Sequence, residues 1–154
     1  MTDEDELFRL ARGDIPERYA HPVCTAIAPS GHFAIALIAT NEQPSVEIEL
    51  SQFEREEGRW VLFASGGASG VTWSSAGPDE DVLTAPVAAP PDARSAVFEW
   101  RGQEHDVAVE NGYATLVLWN EPAPVHHANI ELPQVRYFIL ADGTRVRPPH
   151  HGAR

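Results

Sequence analysis

Residues 32–50, HFAIALIATNEQPSVEIEL, contain two strand patterns separated by a short polar segment. The first pattern, residues 32–40, is apolar on both faces, which is typical of a central strand that is covered on both sides. The second, residues 45–50, alternates between apolar and polar positions, as expected of a strand with one buried face. The stretch therefore predicts a sheet whose central strand is buried on both faces.

A helix pattern precedes these strands at residues 2–12. Thr2 or Asp3 can cap the start of the helix, and acidic residues in the first turn interact favourably with the helix dipole. Gly13 is a natural helix stop. A turn signal at Glu57-Gly58 predicts a further hairpin. Residues 1–65 are thus predicted to form one short helix followed by about four antiparallel strands.

Short strands separated by turn signals also fill residues 82–147. Asn111-Gly112 predicts a type I′ hairpin, because both central positions of that turn need positive φ. Asp142-Gly143 predicts another two-residue hairpin, and a further turn is expected at Gly102-Gln103. The segment DVLTAPVAA, residues 81–89, contains Pro86 and is therefore predicted to be an edge strand. The predicted fold class is mainly β, with one or more antiparallel β-sandwiches and one short N-terminal helix.

Residues 82–147 also resemble immunoglobulin-like β-sandwich modules of bacteria. The resemblance rests on an apolar strand, a proline corner, the aromatic strand VFEW and the hairpin DVAVENGY at residues 106–113. It implies an architecture of about six strands and no particular activity. The disulfide that joins the two sheets of antibody domains is absent, since Cys24 is the chain's single cysteine.

The predicted organisation is a single compact unit, residues 1–154, with two sub-parts. Residues 1–65 form the first sub-part and residues 82–147 the second. Residues 66–81, rich in glycine and serine, are interpreted as the joint between them, and residues 148–154 as a frayed tail. The joint has glycines but lacks the lysine of a phosphate-binding loop and the spacing of a nucleophilic serine turn.

The formal net charge of −12 limits the classes of partner. It disfavours nucleic acids and anionic membrane surfaces, which are polyanions, and it favours a protein with a basic surface. The acidic N-terminus does not resemble a signal peptide, and the longest apolar run, residues 33–39, is far too short to span a bilayer. A cytoplasmic location is therefore expected.

Two features are candidate binding positions. Trp73 lies in the Gly/Ser joint, where an aromatic ring either covers the edge of a core or faces a ligand. Asn41, Glu42 and Gln43 form the polar tip between the first two strand patterns, and hairpin tips on a rigid scaffold can carry binding functions. Turn chemistry alone also accounts for this tip.

The candidate metal ligands are His105 and Asp106, at the start of a strand, and His126 and His127, in a loop. Zinc needs three or four such ligands to converge, but adjacent residues of an extended segment point to opposite faces. Solvated or hydrogen-bonded loop histidines are therefore the preferred interpretation, and no cofactor is expected. A non-enzymatic binding or accessory module is thus the first functional hypothesis. A small metal-dependent hydrolase using these four residues is the alternative, and an assembly subunit that pairs through residues 81–89 is a third.

Overall fold

The computed structural model describes residues 1–40, 47–77, 79–121 and 132–148. These residues form one α-helix and two antiparallel sheets, so the predicted mainly-β sandwich with a short N-terminal helix is confirmed. In chain order, the elements are α1 (Asp3–Arg12), a 3₁₀ turn (Glu17–Tyr19), β1 (Ala20–Ile27), β2 (Phe33–Thr40), β3 (Glu47–Glu56), β4 (Arg59–Gly67), β5 (Thr72–Gly77), β6 (Glu80–Ala88), β7 (Ala93–Trp100), β8 (Gln103–Glu110), β9 (Tyr113–Trp119), β10 (Gln134–Leu140) and β11 (Arg145–Val146).

The strands are divided between a four-stranded and a seven-stranded sheet. The first has the order β1-β2-β3-β4, and the second has the order β11-β10-β7-β8-β9-β6-β5. In the seven-stranded sheet, β8 and β9 pair only at the two positions next to their turn. One apolar cluster includes Leu83 and Leu116 from one side of this hairpin together with Phe98 and Phe138 from the other. The sheet therefore folds over at the β8–β9 hairpin into two facing layers.

The molecule consequently has four layers, in the order α1, the four-stranded sheet, β9-β6-β5 and β11-β10-β7-β8. Leu7 of α1 packs against Phe53 of the four-stranded sheet. The opposite face of that sheet, which includes Leu37, packs against Val82 of β6. Because β2 lies in the middle of this arrangement, residues 34–39 are only 0–2% exposed. The predicted doubly covered strand is confirmed.

The helix begins and ends where its sequence predicts. The side chain of Thr2 accepts a hydrogen bond from the Asp5 backbone N–H at 3.1 Å, and Gly13 ends the helix with a φ of 54°. The indole Nε1 of the buried Trp60 donates to the Asp3 carboxylate at 3.1 Å. The first turn of the helix is therefore attached to the sheet by a polar contact as well as by apolar packing. No helix in the described ranges is both long enough and apolar enough to cross a bilayer.

The prediction that residues 81–89 form an edge strand is wrong. Residues 81–88 lie in β6, which pairs with β5 on one side and with β9 on the other. Pro86 is tolerated because β5 ends its pairing at Thr84, so the strand has a partner on only one side at the level of Pro86. Because β6 is not at the edge of its sheet, the hypothesis that copies of the chain pair through residues 81–89 is not supported.

Turn positions follow the sequence signals with two corrections. Glu57-Gly58, predicted as a hairpin turn, and Asn111-Gly112 have positive φ at both residues. At Asn111-Gly112 this agrees with the predicted type I′ turn. The turn expected at Gly102-Gln103 lies one residue earlier, at Arg101-Gly102. The loop at Asp142-Gly143 is longer than two residues, since Leu140 both accepts from the Gly143 N–H and donates to the Thr144 carbonyl.

Most of the segment interpreted as a joint is strand. Gly66 and Gly67 end β4, residues 72–77 form β5, and β6 begins at Glu80. One contact across the two halves involves the carboxylate of this buried glutamate, whose Oε1 accepts from the Ser30 backbone N–H at 3.1 Å. Residues 149–154 of the predicted tail lie outside the described residues.

Candidate binding cleft

A cleft of about 610 Å³ opens between β8 and β9 beyond their shared turn. The two strands pair at Val109 with Ala114 and at Glu110 with Tyr113, and then separate. β8 continues along β7 and β9 continues along β6. In the described part of the chain, residues 104–108 and 115–118 therefore have a strand partner on one side only. Their other edges line the cleft.

A third strand borders the same space. A smaller cavity of about 230 Å³ lies between residues 23–26 of β1 and the β8–β9 hairpin. It shares four lining residues with the larger cleft: Val107, Ala108, Thr115 and Val117. Since β1 pairs only with β2 among the described strands, three strand edges converge here. Backbone donors and acceptors at such edges are available to a further extended segment.

The rim of the cleft is acidic and its lining is partly apolar. Glu104, Asp106 and Glu110 alternate along β8 and are exposed on the face opposite the core. None of the three takes part in an ion pair with another described residue. Val107 and Val117 contribute apolar surface between the two edges. The cleft therefore combines negative charge, unpaired strand edges and a short apolar lining.

Cys24 lines the smaller cavity as a protonated thiol. The pKa of this thiol is raised from the ordinary value of 9.0 to about 12, mainly because the thiol is buried. The nearby Thr115 hydroxyl lowers the pKa in part, and the carboxylates of Glu110 and Glu4 raise it further. That hydroxyl, although close enough to affect the thiol, lacks the geometry of a hydrogen bond with any described residue. A neutral thiol is a poor nucleophile, which argues against covalent chemistry at this position.

Two of the predicted metal ligands lie at the cleft. His105 and Asp106 are neighbours on β8, where the half-buried His105 and the exposed Asp106 point to opposite faces of the strand. Across the described ranges, no three histidine, cysteine, aspartate or glutamate side chains lie together in a way that could hold a metal ion. His126 and His127 lie outside the described residues. The metal site stays a prediction.

Trp73 packs inside the second half of the chain. It pairs with Leu83 across β5 and β6, and its ring centroid lies 6.3 Å from that of Trp100. The indole is half-buried against the cluster that also contains Phe98, and its buried Nε1 has no hydrogen-bond partner among the described residues. This placement favours the interpretation as a cover over the core edge. Asn41, Glu42 and Gln43 lie outside the described residues.

The comparisons with known proteins give no relative from which a function could be transferred. No protein-family model matches this chain. No curated protein and no solved structure matches it either. The geometry and chemistry of the cleft are therefore the basis for a functional proposal, and the resemblance of residues 82–147 to immunoglobulin-like modules stays a prediction.

The sequence contains one feature of this cleft, a set of acidic residues on one strand, that did not by itself indicate a binding site. Glu104, Asp106 and Glu110 occupy alternate positions of one predicted strand and so share a face. An acidic stripe of this kind is ordinarily a solvated surface. Its proximity to unpaired strand edges depends on the separation of β8 from β9, which no local pattern in the sequence encodes.

Proposed function

We propose that this chain is a non-enzymatic binding module that accepts an extended, basic segment of a partner protein in the β8–β9 cleft. The observation that carries the proposal is a pair of edges, residues 104–108 and 115–118, that face one cleft and have no strand partner there among the described residues. An extended peptide that lies along either edge gains main-chain hydrogen bonds, as in other cases of strand addition. Five edge residues provide roughly 17 Å of pairing length.

Charge supports a basic segment in particular. Glu104, Asp106 and Glu110 surround the open edge without ionic partners among the described residues, in a chain of net charge −12. Complementary charge increases the rate of encounter and selects against acidic competitors. The same field repels phosphate backbones, so the proposal includes a protein partner and excludes a nucleic acid.

The two faces of β8 indicate the pattern of the partner segment. Its acidic residues project to one face, whereas His105 and Val107 project toward the core side. Because side chains of an added strand also alternate, arginine or lysine at every second position would face the carboxylates. Small aliphatic residues between them would contact Val107 and Val117. A cytoplasmic location, where Cys24 would stay reduced, is part of the same proposal.

The test uses an acetylated and amidated heptapeptide, Gly-Arg-Val-Arg-Val-Arg-Gly, titrated into the full chain and followed by backbone-amide NMR. We expect the largest shifts at residues 104–108 and 115–118, with affinity that decreases as salt rises. A peptide with N-methyl groups at alternate residues keeps its charge but loses half of its main-chain donors, and it should bind at least about tenfold more weakly. Equal affinity of the two peptides would contradict strand addition.

A matched pair of variants tests the acidic rim. The triple variant E104Q/D106N/E110Q should weaken binding of the parent peptide by about tenfold or more, because three carboxylates beside the cleft are neutralised. The control, E54Q/E56Q/E57Q, removes the same charge from the β3–β4 hairpin and should leave the affinity nearly unchanged. Equal losses in both variants would show that net charge alone attracts the peptide.

A further inference from the structure

Among the described strands, a second unpaired edge lies on the opposite side of the molecule. The cleft is bordered by β1 and β9, whereas the sheets end on their far sides at β4 and β5. β5 lies beside the four-stranded sheet, since Gln52 of β3 donates through Nε2 to the Ser75 carbonyl at 2.7 Å. A small cavity is lined jointly by Ser65 and Gly66 of β4 and Ser74 of β5. Both sheets thus contribute to one surface.

This surface is uncharged over an unusually long stretch of chain. Residues 60–77 contain no acidic or basic side chain, although the chain has 23 acidic and 11 basic residues. Within this stretch, Val61, Leu62 and Phe63 are 40%, 43% and 48% exposed. Three consecutive exposed apolar residues on a strand are uncommon on a surface that only contacts water.

The edge of β4 has few of the features that usually protect a free edge. Such edges are commonly short, charged, or interrupted by proline or a bulge. β1 has Pro22 and a bulge beside it, and β11 is two residues long and includes Arg145. β4 has nine residues, no proline, and one charged residue, Arg59, at its start. It has one bulge, at Phe63, where the register with β3 shifts by one residue, and the pairing continues regularly on either side.

We propose that a second copy of this chain binds at β4, with the two β4 strands antiparallel about a two-fold axis. Two copies that each carry −12 repel one another through their charged surfaces, and at residues 60–77 two strand edges can meet without facing charges from that stretch. A two-fold contact uses the same patch on both copies, so each edge satisfies the other. Leu62 and Phe63 of one copy are then shielded from water by the other.

The test is sedimentation equilibrium of the full chain over a range of concentrations, with light scattering as a second measurement. The expected result is a reversible monomer–dimer equilibrium that persists at high salt, because the contact is apolar and main-chain in nature. At about millimolar concentration, only a dimer with a binding free energy weaker than about 4 kcal/mol would escape detection. A chain that stays monomeric up to that concentration would therefore overturn the proposal.

A pair of variants locates the interface. Phe63→Arg should raise the dimer Kd at least about tenfold while the circular dichroism spectrum and Tm of the monomer stay unchanged. The matched control is Ile27→Arg, which places the same charge at a residue of β1 that is 40% exposed, against 48% for Phe63. It should leave the dimer intact. Equal effects of the two substitutions, or a dimer that is insensitive to Phe63→Arg, would overturn the assignment to β4.

Discussion

At the scale of single residues, Asp3 connects the helix to the sheet on which it packs. Its carboxylate accepts from Trp60 Nε1 at 3.1 Å and from Arg55 at 3.3 Å, and the Arg55 guanidinium lies 4.2 Å from the centre of the Trp60 ring. The Trp60 side chain is only 4% exposed. Its N–H therefore depends on Asp3 for a hydrogen-bond partner within the described residues.

Asp3→Ala should lower the free energy of unfolding by about 1–3 kcal/mol, because a buried N–H loses its acceptor. Urea denaturation measures the change. Asp5→Ala is the control, since it removes an exposed carboxylate from the same helical turn without touching Trp60. A loss in Asp5→Ala as large as in Asp3→Ala would assign the effect to the helix dipole instead.

The thiol of Cys24 gives a pH-dependent prediction. Since its pKa is raised to about 12, the thiolate fraction near pH 8 should be about 10³-fold smaller than in the unfolded chain. Reaction with a disulfide reagent should be slow in the native protein and rise tenfold per pH unit up to pH 10, whereas the unfolded chain should level off above pH 9. Rapid reaction at pH 7 under native conditions would contradict the buried thiol.

The same shift has a defined sign for stability. The folded state favours the protonated thiol, so its contribution is complete below pH 9 and is lost as the pH rises from 9 toward 12. In Cys24→Ala this part of the alkaline loss should be absent when unfolding is measured between pH 8 and pH 10.5. An alkaline loss identical to that of the unsubstituted chain would mean that other groups cause it.

At the scale of elements, the cleft depends on the β8–β9 hairpin, because its two strands separate beyond their turn. Its turn holds the only two pairs between these strands in the described residues, and Gly112 has a φ of 84°. Gly112→Ala should lower the free energy of unfolding by about 1–3 kcal/mol, because an L-residue is strained there. The control Gly67→Ala, in β4 with open space around it and no positive φ, should change it by less than about 0.5 kcal/mol. Equal losses would argue against strain at the turn.

Local patterns predicted the strands better than their partners. The alternation of β3 and the doubly apolar character of β2 depend on the chain's own residues, and both are present in the structure as predicted. The position of β6 depends on which strands reach it. Pro86 predicted an edge strand. The pairing between β5 and β6 stops at Thr84, before Pro86, so β6 accommodates this proline although it lies between two other strands. Strand order is a property of tertiary packing.

The candidate site, like the fold, could be predicted from the sequence only in part. The sequence predicts metal ligands at His105 and Asp106, and the structure places both at the cleft, on opposite faces of β8. Val107 and Thr115 carry no chemical signal in the sequence, yet they line both cavities. They were not predictable, because the gap arises where two adjacent strands separate.

At the scale of the whole molecule, the charge of −12 predicts salt-dependent stability. Raising the NaCl concentration to about 0.5 M at fixed protein concentration should raise Tm by about 2–4 °C, because repulsion among the 23 carboxylates is screened. E54Q/E56Q/E57Q, with net charge −9 instead of −12, should show a smaller rise. Calorimetry measures both, and a Tm that falls with NaCl would contradict net repulsion.

The layer order also determines how the chain can be divided. One face of β2 is covered by α1 and the other, through Leu37, by residues of the second half such as Val82. A gene cut in the loop after β4 would therefore yield two fragments that each expose half of a shared interior. Neither should be recovered alone in folded form, whereas co-expression should restore one complex of the two pieces. We therefore expect the two sub-parts predicted from the sequence to fold only together, although each has its own sheet.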